Sequence, residues 1–171
     1  MLARMDVLRR IACLLRWAWL PLTLAGCAAF APPVQPGASE ADALARLGAP
    51  TARYTMPDGT TRLEFARGPF GRETWMVDVD AGARVQRAEQ VLNEASFATL
   101  VPGLTRGDVL RRLGRPAEAQ RVGWLGREVW SWRYPTNDCL WFRVTFEADG
   151  RLLDAGGYMP DPMCDPPSDW Q

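Results

Sequence analysis

The side chains of this chain that could do acid–base chemistry are carboxylates, and they are scattered. Glu64, Asp78, Glu128 and Glu147 are far apart in sequence, and no motif pairs any two of them. The chain contains no histidine, the commonest general base and the commonest metal ligand. It also lacks a G-x-S-x-G elbow, a glycine-rich phosphate loop and a metal-ligand spacing. We therefore predict a protein that is not an enzyme and that binds neither cofactor nor metal.

Cysteine thiols are the other reactive groups, and Cys27 has the most informative surroundings. It follows a basic start, the apolar run at residues 17–24, and the small residues Ala25 and Gly26. Such an order is typical of a secretory signal. The apolar run is far shorter than the roughly 20 residues that a membrane-spanning helix needs.

The sequence Leu24-Ala25-Gly26-Cys27 resembles the lipobox of bacterial lipoproteins. This resemblance implies cleavage after Gly26, a diacylglyceryl thioether on the Sγ atom of Cys27, and acylation of the new amine. Several acyl chains hold a soluble domain on a membrane durably. Ala28, where an aspartate would imply inner-membrane retention, implies an outer-membrane lipoprotein that faces the periplasm. The alternative is an ordinary export signal in which Cys27 is a small buried hydrophobe.

Cys139 and Cys164 are predicted to form a disulfide. Cys13 would leave with the signal and Cys27 would carry lipid, so a single pair would remain in an oxidising compartment. Closing a loop of about 25 residues stabilises a fold by on the order of 3 kcal/mol. A reactive dithiol would need a C-x-x-C spacing, and a metal site would need further ligands.

Charge argues against a nucleic-acid partner. The chain has 20 basic and 20 acidic side chains, and every basic one is an arginine. Removing residues 1–26 removes more arginines than acids, so the remainder is slightly acidic. Nucleic-acid binding would require a basic stripe and a high pI.

An internal repeat defines the body of the chain. Residues 36–50 and 102–116 match in register at Pro, Gly, a hydroxyl residue, Asp, Leu, Arg, Leu, Gly and Pro. The hydroxyl residue and the Asp three positions later predict a capped helix start. The glycine and the following proline predict an abrupt helix end. Each copy is therefore predicted to begin with a short helix.

After each helix the apolar period changes to two, which predicts antiparallel strands. The pattern is clearest for Trp130, Trp132 and Tyr134, and for alternate residues of 140–146. We predict an α+β fold of two tandem units, each with short helices packed on one face of a three-stranded antiparallel sheet. The predicted segments are a signal peptide (1–26), a linker (27–35), a first repeat (36–92), a second repeat (93–160) and a tail (161–171).

The pattern PG-x-[ST]-x-x-D-[AV]-L-x-R-LG-x-P, followed by an aromatic strand, a hairpin and a DG turn, resembles the SmpA/OmlA lipoproteins of the BamE type. The resemblance covers the lipobox and most of residues 36–158. It implies two helices on a three-stranded sheet and a non-catalytic role in envelope assembly or integrity, with the β-barrel assembly machinery as one partner. The tandem arrangement differs from the single-copy assembly factor and is similar to the doubled architecture of the β-lactamase inhibitor proteins.

Trp141, Arg143 and Arg133 are the predicted partner-binding residues. Trp141 and Arg143 share the strand face that points away from the helices, and Arg133 is predicted to join them from the neighbouring strand. An exposed Trp beside Arg is typical of interface hot spots. The alternative is that the tail or the other repeat covers Trp141. Three hypotheses follow for the function: an envelope accessory that binds a protein partner, a periplasmic binding module like the β-lactamase inhibitors, and a structural spacer without a specific partner.

Overall fold

The computed structural model describes residues 32–164, which form three short helices and eight strands. Cys27, the predicted signal peptide and residues 165–171 lie outside the described residues. The helices are α1 (Glu40–Leu47), α2 (Glu94–Phe97) and α3 (Arg106–Leu113). The strands are β1 (Ala52–Thr55), β2 (Thr61–Ala66), β3 (Thr74–Val79), β4 (Val85–Gln90), β5 (Glu118–Val122), β6 (Arg127–Arg133), β7 (Leu140–Phe146) and β8 (Gly157–Pro160).

The strands form two antiparallel four-stranded sheets, each a simple meander. The first sheet has the order β1-β2-β3-β4 and the second the order β5-β6-β7-β8. The predicted α+β fold with three-stranded sheets is therefore wrong, since the described chain is mostly β.

The strands that the prediction missed are β1 and β5. Both follow the Gly-x-Pro helix stop at once, and neither contains a buried residue. An edge strand of four or five half-exposed residues carries no alternation of apolar side chains, so the period-two criterion cannot detect it. The last strand starts at Gly157, since Arg151 and Leu152 before it form only isolated bridges.

The two copies repeat each other in detail. Ser39 and Thr105 both cap a helix, each in a reciprocal capping box with the Asp three residues later. Gly48 and Gly114 end these helices with φ angles of 87° and 77°. These predicted helix boundaries are confirmed.

The same duplication appears where the chain enters each copy. In the first copy the Gly37 N–H donates to the Val85 carbonyl at 2.7 Å, and the Arg84 guanidinium donates to the Gly37 carbonyl at 3.3 Å. In the second copy the Gly103 N–H donates to Leu152 at 2.8 Å, and Arg151 donates to Gly103 at 3.1 Å.

Each sheet has its own hydrophobic core. Helix α1 packs on one face of the first sheet, and the segment predicted as a linker supplies Val34 to that core. Helices α2 and α3 pack on the second sheet in a core rich in aromatic rings. Met76 projects into this second core from the opposite face of the first sheet. The layers are therefore α1, first sheet, α2 with α3, and second sheet.

The end of α3 is held between the two sheets. The Arg115 N–H donates to Glu64 of the first sheet at 3.2 Å, and the Trp132 indole of the second sheet donates to the Gly114 carbonyl at 3.1 Å. One turn earlier in the helix, the Arg62 guanidinium donates to the Arg111 carbonyl at 2.8 Å. The helix end thus bonds both sheets through its own peptide groups.

Glu64 is fully buried at this junction. Its carboxylate accepts hydrogen bonds from the Tyr54 hydroxyl at 2.6 Å and the Thr51 hydroxyl at 2.9 Å, besides the Arg115 N–H. Burial raises the pKa of Tyr54, and the hydrogen bond to Glu64 raises this pKa further. Because a buried carboxylate without partners is very costly, this set of donors allows Glu64 to sit inside the molecule.

We expect Gly114→Ala to destabilise the protein more than Gly48→Ala does. Both glycines have a positive φ with ψ near 180°, which costs a non-glycine residue about 1–3 kcal/mol. A Cβ at Gly48 meets nothing within 4 Å, whereas one at Gly114 would lie 2.9 Å from Thr74 Cγ2 and 3.0 Å from Glu64 Cδ. Overpacking adds roughly 1–3 kcal/mol at Gly114 alone.

Urea denaturation of the two variants measures this difference. Equal losses of unfolding free energy at the two positions would contradict a tight junction at Gly114.

Candidate partner-binding face

The second sheet has a face that points away from the helices, and the three predicted binding residues meet there. Arg133 on β6 lies directly opposite Trp141 on β7, and Arg143 follows two residues along the same strand. The guanidinium carbons of Arg133 and Arg143 lie 5.2 Å and 5.4 Å from the centre of the Trp141 ring. We call these three residues and their surroundings the outer face.

Trp141 is only 4% exposed, so the prediction of an exposed indole is wrong. Two arginine side chains lie close to the ring in cation–π contact, and Met159 of β8 pairs with Trp141 on its other side. Long arginines on a flat sheet can cover a neighbouring ring, which the strand alternation does not reveal. Trp141 is therefore a packed residue of the outer face.

Arg133 is held in place by the segment predicted as a tail. It donates to both carboxylate oxygens of Asp161, at 2.6 Å and 2.9 Å, and to the Pro69 carbonyl at 2.8 Å. Burial alone would raise the pKa of Asp161, but hydrogen bonds from Arg133 and Met163 hold it below the usual value. With its side chain 11% exposed, Arg133 supports Trp141 and offers little to a partner.

The predicted disulfide between Cys139 and Cys164 is confirmed, with Cα atoms 6.1 Å apart. It joins the residue before β7 to the end of the described chain. The Asp161 N–H also donates to the Cys139 carbonyl at 2.9 Å. The crosslink therefore keeps Asp161 beside Arg133.

Arg143 is the member of the outer face that remains accessible. It lines a pocket of about 380 Å³. Its Nε atom is buried and has no hydrogen-bond partner among residues 32–164, and the same is true of the Trp141 indole nitrogen. The remaining residues of the pocket are Val129, Thr145, Asp154, Gly156, Gly157 and Met159.

Three of the four carboxylates considered for acid–base chemistry form ion pairs with arginines. Asp78 binds Arg62 through two hydrogen bonds of 2.6 Å and 2.7 Å. Glu128 binds Arg106 at 2.7 Å, and Glu147 binds Arg127 at 3.1 Å. Within the described chain, no group of three potential metal ligands occurs. Asp78, Glu128 and Glu147 are thus engaged in ion pairs, whereas Glu64 is buried at the end of α3 with its own hydrogen-bond donors.

Sequence reasoning missed two features of the surface and the interior. Glu64 was not recognised as buried, although it lies between the apolar residues Leu63 and Phe65 on a central strand. Trp124 and Leu125, in the loop between β5 and β6, are 94% and 49% exposed. The sequence Gly-Trp-Leu-Gly, two large apolar residues between glycines in a hairpin loop, was the signal that could have revealed this exposed loop.

Comparison with known proteins gives no family. No family model matches the chain, and no curated protein matches it. Among solved structures, the chain is similar to an extracellular protein containing a SCP domain from Bacillus anthracis str. Ames, with 14% identity and a TM-score of 0.29. That match covers 74% of this chain and 44% of the other. At this level of similarity it carries no argument about fold or function. In residues 32–164 no helix is long and apolar enough to span a membrane.

We expect Trp141→Ala to destabilise the protein by about 3–5 kcal/mol, as large aromatic truncations in a packed site do. The exposed Trp124 gives the matched control, since Trp124→Ala should change the unfolding free energy by less than about 0.5 kcal/mol. Thermal and urea unfolding measure both values. Equal, small changes would show that Trp141 is not packed as described.

Proposed function

We propose that this protein is a non-catalytic lipoprotein of the outer membrane that binds a protein partner through the Arg143 pocket of its outer face. It would act on the periplasmic side as an accessory in envelope assembly or integrity. The observation that carries the proposal is the Arg143 guanidinium, which lines an open pocket and forms no ion pair among residues 32–164.

The Arg143 guanidinium carries a charge that no carboxylate of residues 32–164 pairs with. A partner that places a carboxylate in the pocket would form this ion pair through the guanidinium N–H groups that solvent reaches. Bonds from a guanidinium to a carboxylate are among the strongest hydrogen bonds in proteins.

The rigidity of the surroundings supports a binding role. Arg143 lies over the Trp141 ring, and Arg133, which is held by its ion pair with Asp161, lies over the same ring. A side chain that is already ordered loses little conformational entropy when a partner docks. Arg and Trp are also the residue types most enriched in interface hot spots.

The proposed location rests on Cys27. Lipid on its Sγ atom would keep the domain at a membrane surface, where its partners would be other envelope proteins. Barrel-assembly subunits would be one such partner, in keeping with the BamE-type sequence motif. The doubled repeat favours a second candidate, a module that binds a periplasmic protein in the manner of the β-lactamase inhibitors.

The test is capture from native membranes, with crosslinking before solubilisation and mass spectrometry of the captured proteins. We expect Arg143→Gln to reduce capture of the main partner at least tenfold, which corresponds to about 1.4 kcal/mol. Unfolding free energy should change by about 1 kcal/mol or less. Arg87→Gln, which alters an exposed arginine on the first sheet, is the matched control and should leave capture unchanged.

Each outcome has a clear reading. Envelope-assembly proteins that depend on Arg143 support the proposal, whereas a periplasmic enzyme supports the second candidate. No reproducible partner would contradict both candidates and favour a spacer. In parallel, Cys27→Ser should block lipidation and cleavage, so the intact mass of this variant would include residues 1–26 and no acyl chains. Unchanged processing of this variant would contradict the lipid anchor.

A further inference from the structure

The loop between β5 and β6 presents an apolar tip to solvent. Val122 pairs with Arg127 as the last pair of the hairpin, so Gly-Trp-Leu-Gly at residues 123–126 projects past the end of the sheet. Gly123 and Gly126 have φ angles of 68° and 67°, which brings the chain around tightly at both sides. Trp124 is 94% exposed, the most exposed large apolar side chain in the described part of the chain.

The turn itself does not need these side chains. The equivalent turn of the first copy joins β1 to β2 through residues 56–60, where Asp58 accepts hydrogen bonds from the Thr60 N–H at 3.0 Å and the Thr60 hydroxyl at 2.7 Å. One copy of the repeat therefore closes this hairpin without any aromatic residue. An exposed indole is thus not a requirement of the hairpin in this repeat.

One arginine next to the tip is left without an ion pair among residues 32–164. Arg127 pairs with Glu147 at 3.1 Å and Arg106 pairs with Glu128 at 2.7 Å, whereas Arg121, opposite Glu128 in the strand pairing, has no carboxylate of its own. The tip thus offers apolar surface beside a basic side chain. An indole with an apolar body and one N–H donor is the side chain most typical of the interface between lipid headgroups and acyl chains.

The tip lies at the end of the molecule where the chain enters. Helix α3 starts beside the tip end of the second sheet, where the Arg106 N–H donates to Gly150 at 3.3 Å. It ends at Gly114, toward the opposite end. Strand β2 of the first sheet runs in the same direction as helix α3. Arg62 bonds to Arg111, and Glu64, two residues later in the strand, bonds to Arg115.

At the opposite end, Arg133 of the second sheet contacts Pro69 in the β2–β3 loop of the first sheet. The equivalent ends of both sheets therefore lie on the same side. The Gly37 N–H bonds to Val85, the first residue of β4, just after the β3–β4 turn. The described chain therefore joins the first sheet at the tip end.

We infer that Trp124 and Leu125 insert into the headgroup region of the bilayer and orient the domain on the membrane. The inference rests on the proposed lipid anchor at Cys27. The stretch from Cys27 to the buried Val34 can span at most about 25 Å, at 3.3–3.6 Å per residue, which keeps the domain near the bilayer. Two side chains bind a membrane weakly when free, but tethering makes their insertion an intramolecular step.

This orientation would also present the outer face. Strand β6 runs from the tip to Arg133, and seven residues of strand span about 20 Å. The Arg133 end of the outer face would then stand away from the headgroups, where a partner can approach it.

The experiment measures tryptophan quenching by brominated lipid. Protein purified from membranes is reconstituted in vesicles of phosphatidylethanolamine and phosphatidylglycerol with brominated phosphatidylcholine. We expect Trp124→Ser to lose most of the bromine-dependent quenching, and Leu125→Ser to reduce it about twofold. Phe70→Ser, which changes a 71% exposed aromatic in the loop at the opposite end, should keep the wild-type value.

A second tether separates this inference from the proposed anchor. Residues 27–171 with Cys27→Ser, produced without the signal segment and with a histidine tag after Gln171, are bound to vesicles of the same composition that contain a nickel-chelating lipid. Quenching that depends on Trp124 in this form supports tip insertion even if Cys27 carries no lipid. Identical quenching of wild-type and Trp124→Ser proteins in both tethered forms would overturn the inference. The inference would also be overturned if a bound protein partner covered Trp124 and bromine on the lipid did not quench its fluorescence.

Discussion

The structure depends on one peptide segment, the end of helix α3. The Arg115 N–H bonds to the buried Glu64 of the first sheet, and the Gly114 carbonyl accepts a bond from Trp132 of the second sheet. Only a glycine fits here, because the backbone has a positive φ and Thr74, Glu64 and Met76 leave no room for a Cβ. This contact and the packing of Met76 in the second core join two copies of the repeat that would each have only a modest core alone.

The junction explains why the two copies are not interchangeable. The first copy covers one face of its sheet with α1 and gives the other face to the helices of the second copy. The second copy has no third copy to cover its remaining face. That face is closed instead by arginines lying over Trp141, with Arg133 held by Asp161 and the disulfide beside it. Cation–π contacts, an ion pair and a disulfide hold this surface in one arrangement.

Sequence reasoning found the local structure and missed the pairing between distant segments. Capping residues and terminal glycines located α1 and α3, because those signals act within a few residues. Strong alternation located β6 and β7, and the cysteine count gave the disulfide. Strands β1 and β5 were not predicted because they are short edge strands without buried side chains. The burial of Trp141 escaped because it depends on where two arginines lie, and the burial of Glu64 because its donors, Tyr54, Thr51 and Arg115, come from other segments.

The central claim is that the Gly114–Arg115 junction makes both sheets one cooperative unit. Native-state hydrogen exchange tests it most directly, by comparing the opening free energies of slow amides in β2 and β3 with those in β6 and β7. The account predicts one shared value that equals the global unfolding free energy, and an equal fall in both sheets for Glu64→Gln. Two separate values, with the first sheet alone destabilised by Glu64→Gln, would contradict it.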